Sequence, residues 1–198
     1  MEMEIKNCKF LKSCTDVINK PEGEISEIAF VGKSNVGKSS LINSLLKTKI
    51  AKTSSQPGRT RLINYFSVNN DTLRFVDLPG YGFNKASKNI TKDWNDMIGS
   101  YLLNNSNLKL VVFLIDIRHT PTELDKITQL FLYNNGLPYI IVATKSDKIA
   151  KSKVKNNLNM LARQLKVTSA NILPYTSLNP QSRILLLEKI QNILDMSN

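Results

Sequence analysis

The run Gly32-Lys33-Ser34-Asn35-Val36-Gly37-Lys38-Ser39 places four residues between two glycines and follows the second glycine with Lys and Ser. Such a run suits a backbone that curls around phosphate oxygens, with Lys38 neutralising the β and γ charges and the Ser39 hydroxyl placed to ligate magnesium. The competing reading is a glycine turn carrying an exposed lysine. A second group, Thr144-Lys145-Ser146-Asp147, follows a continuous apolar run. At the carboxyl end of a strand, Asp147 would face a nucleotide base. Its carboxylate can accept from guanine N1–H and N2–H₂, donors that adenine lacks, and an unpaired buried group costs roughly 1–3 kcal/mol, so guanine is favoured. Lys145 would cover the ring and brace the loop. Taken alone, the same four residues would also suit a helix start capped by Asp147.

Two shorter groups fit the same chemistry. Asp77-Leu78-Pro79-Gly80 ends a short apolar segment. Asp77 can hold magnesium through a water, and the Gly80 N–H can meet a γ-phosphate whose loss frees the chain beyond. Standing alone it would be a simple Pro-Gly turn. In Gly58-Arg59-Thr60-Arg61, Thr60 is suited to be the second hydroxyl ligand of magnesium. Arg59 and Arg61 have three open roles: reaching the γ-phosphate, binding RNA, or lying solvated.

These groups need strands and helices to bring them together. Residues 26–31 read as a strand entering the glycine run, and 38–47 as a helix leaving it. Residues 62–68 and 73–76, joined by Asn69-Asn70-Asp71-Thr72, read as an antiparallel hairpin. Residues 110–115 and 139–143 are apolar throughout, as in strands buried on both faces of a parallel sheet, and 172–175 is a weaker third. Helices are expected at 87–104, 122–134, 149–165 and 181–195. The alternation predicts an α/β, P-loop, doubly wound and mostly parallel sheet with one antiparallel edge strand and helices on both faces. Residues 1–24 read as an N-terminal extension packed on a single domain, residues 25–198.

The 198 residues, 41% hydrophobic and 22% charged, are of ordinary globular composition, which excludes collagen-like, coiled-coil and disordered classes. The formal charge of +11 favours polyanionic partners. It comes from two acid-free blocks, residues 28–70 and 148–166, the second holding Lys148, Lys151, Lys153, Lys155, Arg163 and Lys166. This block is a candidate for contact with RNA phosphates, or else a solvated lysine face. No apolar run approaches the ~18 residues of a membrane span, and the start carries neither a secretory nor a transit signal, so a cytoplasmic protein is expected. Cys8 and Cys14 read as two reduced thiols, with a redox pair as the alternative.

With these motifs in order, the sequence resembles the EngB (YihA/YsxC) family of bacterial ribosome-biogenesis GTPases. The resemblance spans nearly the whole chain and also rests on Pro57-Gly58-Arg59-Thr60, on Tyr81-Gly82 after Gly80, on the spacing of Trp94 and Tyr101-Leu102, and on Asp116-Ile117-Arg118-His119-Thr120-Pro121 with Asp125. It implies GTP and GDP binding with magnesium, weak intrinsic hydrolysis, action on the large ribosomal subunit or its precursor, and a link to cell division and septation. Carried over by position, the nucleotide site would comprise Gly32, Lys33, Ser34, Asn35, Val36, Gly37, Lys38 and Ser39; Gly58, Arg59, Thr60, Arg61 and Leu62; Asp77, Leu78, Pro79 and Gly80; Thr144, Lys145, Ser146 and Asp147; and Tyr175, Thr176 and Ser177. Ser39 and Thr60 would hold magnesium, and Asn35, Lys38, Thr60 and Gly80 would support the chemical step. The last loop departs from the family's more frequent Phe-Ser-Ser, although backbone N–H contacts to the guanine oxygen would survive.

Ras-like enzymes orient the attacking water with a glutamine just after Asp-x-x-Gly, where this chain has Tyr81. Slow hydrolysis is therefore expected unless the ribosome, a cation or both complete the site. In similar GTPases an Asn at the position of Asn35 holds potassium; the alternative is that Asn35 only shapes the loop. The lone His119 reads as structural, Trp94 as a packing anchor, and the protein as a monomer. Two functions remain open at this point: a GTP-switched ribosome assembly factor, and a regulatory GTPase acting through a protein effector without RNA contact.

Overall fold

The computed structural model describes residues 3–51, 62–82 and 97–196. Its centre is one seven-stranded sheet: β1 (Cys8–Cys14), β2 (Glu27–Gly32), β3 (Ile63–Val68), β4 (Leu73–Asp77), β5 (Leu108–Asp116), β6 (Tyr139–Thr144) and β7 (Ile172–Pro174). The spatial order is β1-β3-β4-β2-β5-β6-β7. From β4 to β7 all neighbours run parallel, while β3 runs against both β4 and β1. The mostly parallel, doubly wound fold expected from the strand and helix alternation is present.

The antiparallel strand does not lie at the sheet edge. Residues 8–14, within the segment expected to pack as an extension, form β1 on its outer side, in register from Cys8 opposite Val68 to Cys14 opposite Ile63, with a bulge between Phe10 and Lys12. An edge strand is half solvated, so Lys9, Lys12 and Ser13 interrupt its apolar pattern. The Phe10 ring packs edge-on against Phe66 at 5.9 Å. Both cysteines are free and sit at opposite ends of β1. Seven extended residues separate such ends by about 20 Å, which excludes a disulfide between them.

Strand β2 is buried along its length because it is covered on both faces. Ile28 and Phe30 face one core with Leu41, Ile42 and Leu45 of helix α1 (Lys38–Leu46) and with Leu186, Leu187 and Ile190 of helix α5 (Pro180–Met196). Ala29 and Val31 face the other, with Ile98, Tyr101 and Leu102 of helix α2 (described over 97–103), Leu132 of helix α3 (Glu123–Asn134), and Leu161 and Leu165 of helix α4 (Lys151–Leu165). The period-two exchange of faces along β2 thus divides α1 and α5 from α2, α3 and α4.

Glu27 is among the ionisable side chains buried in this framework. Glu27, fully buried at the amino end of β2, accepts from the Tyr101 hydroxyl at 2.7 Å and from Asn105 Nδ2 at 2.8 Å, and Lys20 Nζ donates to Asn105 Oδ1 at 2.7 Å. A buried carboxylate that loses a donor is penalised by desolvation. Tyr101→Phe is therefore expected to destabilise the fold by about 1–3 kcal/mol, read as a lowered thermal midpoint.

Candidate functional site

The chain leaves β2 at Gly32 and enters α1 at Lys38 through a turn with left-handed backbone at Asn35 (φ 63°) and at Gly37 (φ 105°). Glycine adopts the second of these without strain, and Asn is among the side chains that tolerate the first. Lys38 is the first residue of α1 and Ser39 the next, so both stand at the positive end of the helix dipole. The Lys38 ammonium is ion-paired with the Asp77 carboxylate at the end of β4, both side chains nearly buried. Ser39 thus follows directly on the residue that pairs with Asp77. Among the described residues no group of three or more His, Cys, Asp or Glu is placed to hold a metal by itself. A divalent cation here would draw the rest of its oxygen ligands from phosphate and water, which fits magnesium.

The segment Asp77–Tyr81 continues β4 alongside this turn. Leu78 N–H donates to the Phe30 carbonyl at 3.1 Å, Ser34 N–H to the Tyr81 carbonyl at 2.9 Å, and Tyr81 N–H to the Gly32 carbonyl at 3.3 Å. Gly80 is pressed so closely onto the turn that an added Cβ would stand 2.8 Å from Ser34 Oγ and 3.0 Å from Ser34 Cα. Only glycine fits there without displacing backbone.

Strand β6 braces the turn from the other side. Thr144 Oγ1 lies 2.7 Å from the Val36 carbonyl and 3.1 Å from that of Ile115. Lys145 Nζ donates to the Asn35 carbonyl at 2.7 Å and meets Asp116 Oδ2 at 2.9 Å. Asp116 ends β5 directly opposite Thr144 and also receives Arg118 Nε at 2.9 Å and Nη2 at 2.8 Å. Burial pushes its carboxyl up, but the bonds from Arg118 and Lys145 prevail and hold it well below the usual carboxylate range. The bracing role of Asp116 escaped the motif reading; its signal was a lone carboxylate closing the longest apolar strand.

Asp147 stands in the 3₁₀ turn Ser146–Lys148 that follows. Partial desolvation raises its carboxyl, yet hydrogen bonds from Thr176 and Lys148 outweigh this and lower it, so it is ionised at neutral pH. Ser146 N–H donates to the Tyr175 carbonyl at 3.1 Å, which holds this turn against the Tyr175–Ser177 loop. The contribution of Tyr175 differs from the expectation. Its N–H is already bonded to the Ala143 carbonyl at 2.8 Å and its ring is buried with the hydroxyl on Ser44 Oγ at 3.0 Å, leaving Thr176 and Ser177 as the loop's candidate N–H donors.

Between the turn and α3 lies a cavity of about 260 Å³ lined by Lys33, Asn35, Asp116, Arg118, His119 and Lys145 among others. His119 occupies a tight turn, its N–H on the Asp116 carbonyl at 3.3 Å. Gly58, Arg59, Thr60, Arg61 and Trp94 lie outside the described residues, and Leu62 is half-buried just before β3. Thr144→Val keeps the shape of the brace and removes its hydroxyl. It is expected to cost about 1–3 kcal/mol and to speed amide hydrogen exchange at residues 34–38, with the rest of the sheet unchanged.

Residues 27–145 match the family model described as 50S ribosome-binding GTPase. The probable GTP-binding protein EngB of Clostridium kluyveri is 44% identical over 195 residues, 98% of each chain. Its counterpart in Pelotomaculum thermopropionicum is 46% identical over 176 residues, 88% of each chain. A solved probable GTP-binding protein engB shares the fold with a TM-score of 0.68 at 23% identity, over 86% of this chain and 99% of that one. Era, solved in complex with MgGDPNP and nucleotides 1506–1542 of 16S ribosomal RNA, aligns with a TM-score of 0.60 and 28% identity over 86% of this chain and 56% of that one. No helix among the described residues is long and apolar enough to cross a membrane. The chain belongs to the EngB family of GTP-binding proteins, a family of ribosome-associated GTPases.

Proposed function

We propose that the chain is a nucleotide-switched factor in the assembly of the large ribosomal subunit, a cytoplasmic monomer that binds GTP with magnesium, hydrolyses it slowly, and is needed for normal cell division and septation. The observation that carries the reading is the junction at the carboxyl ends of β2, β4, β5 and β6, where Lys38 meets Asp77 and Lys145 meets both Asn35 and Asp116. A junction of this kind at the carboxyl ends of the strands supports the reading, because open α/β sheets take their ligands there.

In this reading residues 32–39 wrap the phosphates, Lys38 turns from Asp77 to the β and γ oxygens, and the Gly80 N–H meets the γ-phosphate. Asp147 accepts from guanine N1–H and N2–H₂, while the N–H groups of Thr176 and Ser177 face its oxygen. Ser39 and Thr60 hold magnesium, which when bound supplies positive charge against that of the phosphates. Arg59, Arg61 and Leu62 border the same site. The phenol of Tyr81 is committed to Asp125 at 2.6 Å, which supports slow hydrolysis, since this side chain orients no water. Asn35 is exposed on the turn and is assigned to potassium, whose charge would stand in for a missing arginine.

A ribosomal partner is supported by the family description and by α4. That helix contains no acidic residue, and Lys151, Lys153, Lys155 and Arg163 on it are exposed, as are the flanking Lys148 and Lys166. Phosphate contacts made this way are salt-dependent.

Asp147→Asn should lower the preference for GTP over ATP by roughly 10- to 100-fold in competition binding; an unchanged preference removes Asp147 from the base. Turnover should be faster in potassium chloride than in sodium chloride at equal ionic strength, and equal rates refute the role of Asn35. Pelleting with large ribosomal subunits should require a non-hydrolysable GTP analogue rather than GDP, weaken with salt, and weaken further in Lys151→Glu/Lys155→Glu. Absence of pelleting in every nucleotide state would instead favour a protein effector.

A further inference from the structure

Tyr81, the residue directly after Gly80, is 3% exposed, and its phenol donates to Asp125 Oδ1 at 2.6 Å. Asp125 is 5% exposed in the first turn of α3. Its second oxygen is used as well: Oδ2 accepts from Thr122 N–H at 2.7 Å and lies 2.7 Å from Thr122 Oγ1. In return Asp125 N–H donates to Thr122 Oγ1 at 3.3 Å, which completes the capping box of α3. One buried carboxylate thus caps a helix and anchors the residue next to Gly80. Burial, and then the neighbouring Asp125 charge, push the Tyr81 phenol well above its ordinary value, so its proton stays in place for this bond.

Gly80 lies between two anchored neighbours. On its amino side Leu78 is bonded to β2, and on its carboxyl side Tyr81 is held by two backbone bonds to the phosphate turn and by the phenol. Gly82 has φ 84°, the next left-handed residue in the chain. Gly80 itself has no clearance toward Ser34. A charge-assisted hydrogen bond in a dry site constrains an angle as well as a distance.

We propose that Tyr81 is a positioning residue for GTP hydrolysis: its bond to Asp125 fixes Gly80 against the phosphate turn, and this sets how strongly the site distinguishes the γ-phosphate from its absence. The proposal rests on the reading above, in which the Gly80 N–H meets that phosphate. It also makes α3 the rigid element against which the phosphate sensor is braced.

The test uses the full chain with fluorescent GDP and a fluorescent non-hydrolysable GTP analogue, together with steady-state turnover. Tyr81→Phe, which keeps the buried ring, should weaken the analogue and lower kcat by about tenfold while GDP affinity stays within about twofold. Asp125→Asn should change the same ratio in the same direction, and the double variant should add little to either single change, as for one shared interaction. Thr122→Val, which weakens the cap and spares the phenol bond, should lower the thermal midpoint without changing the ratio. An unchanged ratio and kcat in Tyr81→Phe would overturn the proposal, as would equal loss of GDP and analogue, the mark of a merely structural role. Equal loss of the ratio in Thr122→Val would assign the effect to the cap and overturn it too. If the unaltered chain bound neither nucleotide, the proposed function itself would fall and the positioning role with it.

Discussion

A strand that passes into a helix through left-handed backbone turns peptide carbonyls away from both elements, and those carbonyls need donors. In this chain the carbonyls of Asn35 and Val36 are met by Lys145 and Thr144, the residues at the end of β6. The rest of the site depends on that contact. It ties the turn between β2 and α1 to the strand that delivers Asp147, so that the two ends of the proposed nucleotide site share one support. Asp116, from the strand between them, supplies the carboxylate that keeps the Lys145 ammonium in place.

The sheet makes this support stiff. Strand β2 lies between β4 and β5, covered on both faces, and its side chains divide between the two cores. Close packing of this kind resists small displacements, so the phosphate turn inherits its position from the framework. The segment Asp77–Tyr81 is fastened to the same strand by backbone bonds and to α3 by the phenol of Tyr81. Among the described residues, any shift of this segment means rearranging a few identifiable bonds, and that does not require the core to repack.

Helix α3 illustrates how tertiary context redistributes roles. Asp125 and Gln129 are buried, while Ile127, Leu130 and Tyr133 are exposed. The sequence pattern places a helix at 122–134 but does not mark which of its side chains are buried. The buried polar pair is explained by its partners: Tyr81 and Thr122 for Asp125, and the Tyr139 hydroxyl at 2.9 Å for Gln129. Edge strand β1 was hidden for the opposite reason, because its lysines face water and erase the apolar run that marks a buried strand.

Local sequence determined much of this protein on its own. Glycine spacing, the Lys38-Ser39 pair, the apolar runs of β5 and β6 and the Asp147 tetrad point to a strand–turn–helix unit of the phosphate-loop kind and a loop at the end of β6, because each depends on backbone freedom or burial encoded within a few residues. What the tertiary structure decided are the long-range pairings: β1 on β3, Lys145 on Asn35, Asp116 on Lys145, Asp125 on Tyr81, and the Tyr175 N–H spent on Ala143. Each joins residues from separate segments through one hydrogen bond or ion pair, and such a bond leaves no periodicity in the chain. It exists only once the sheet has closed and set its strand ends side by side.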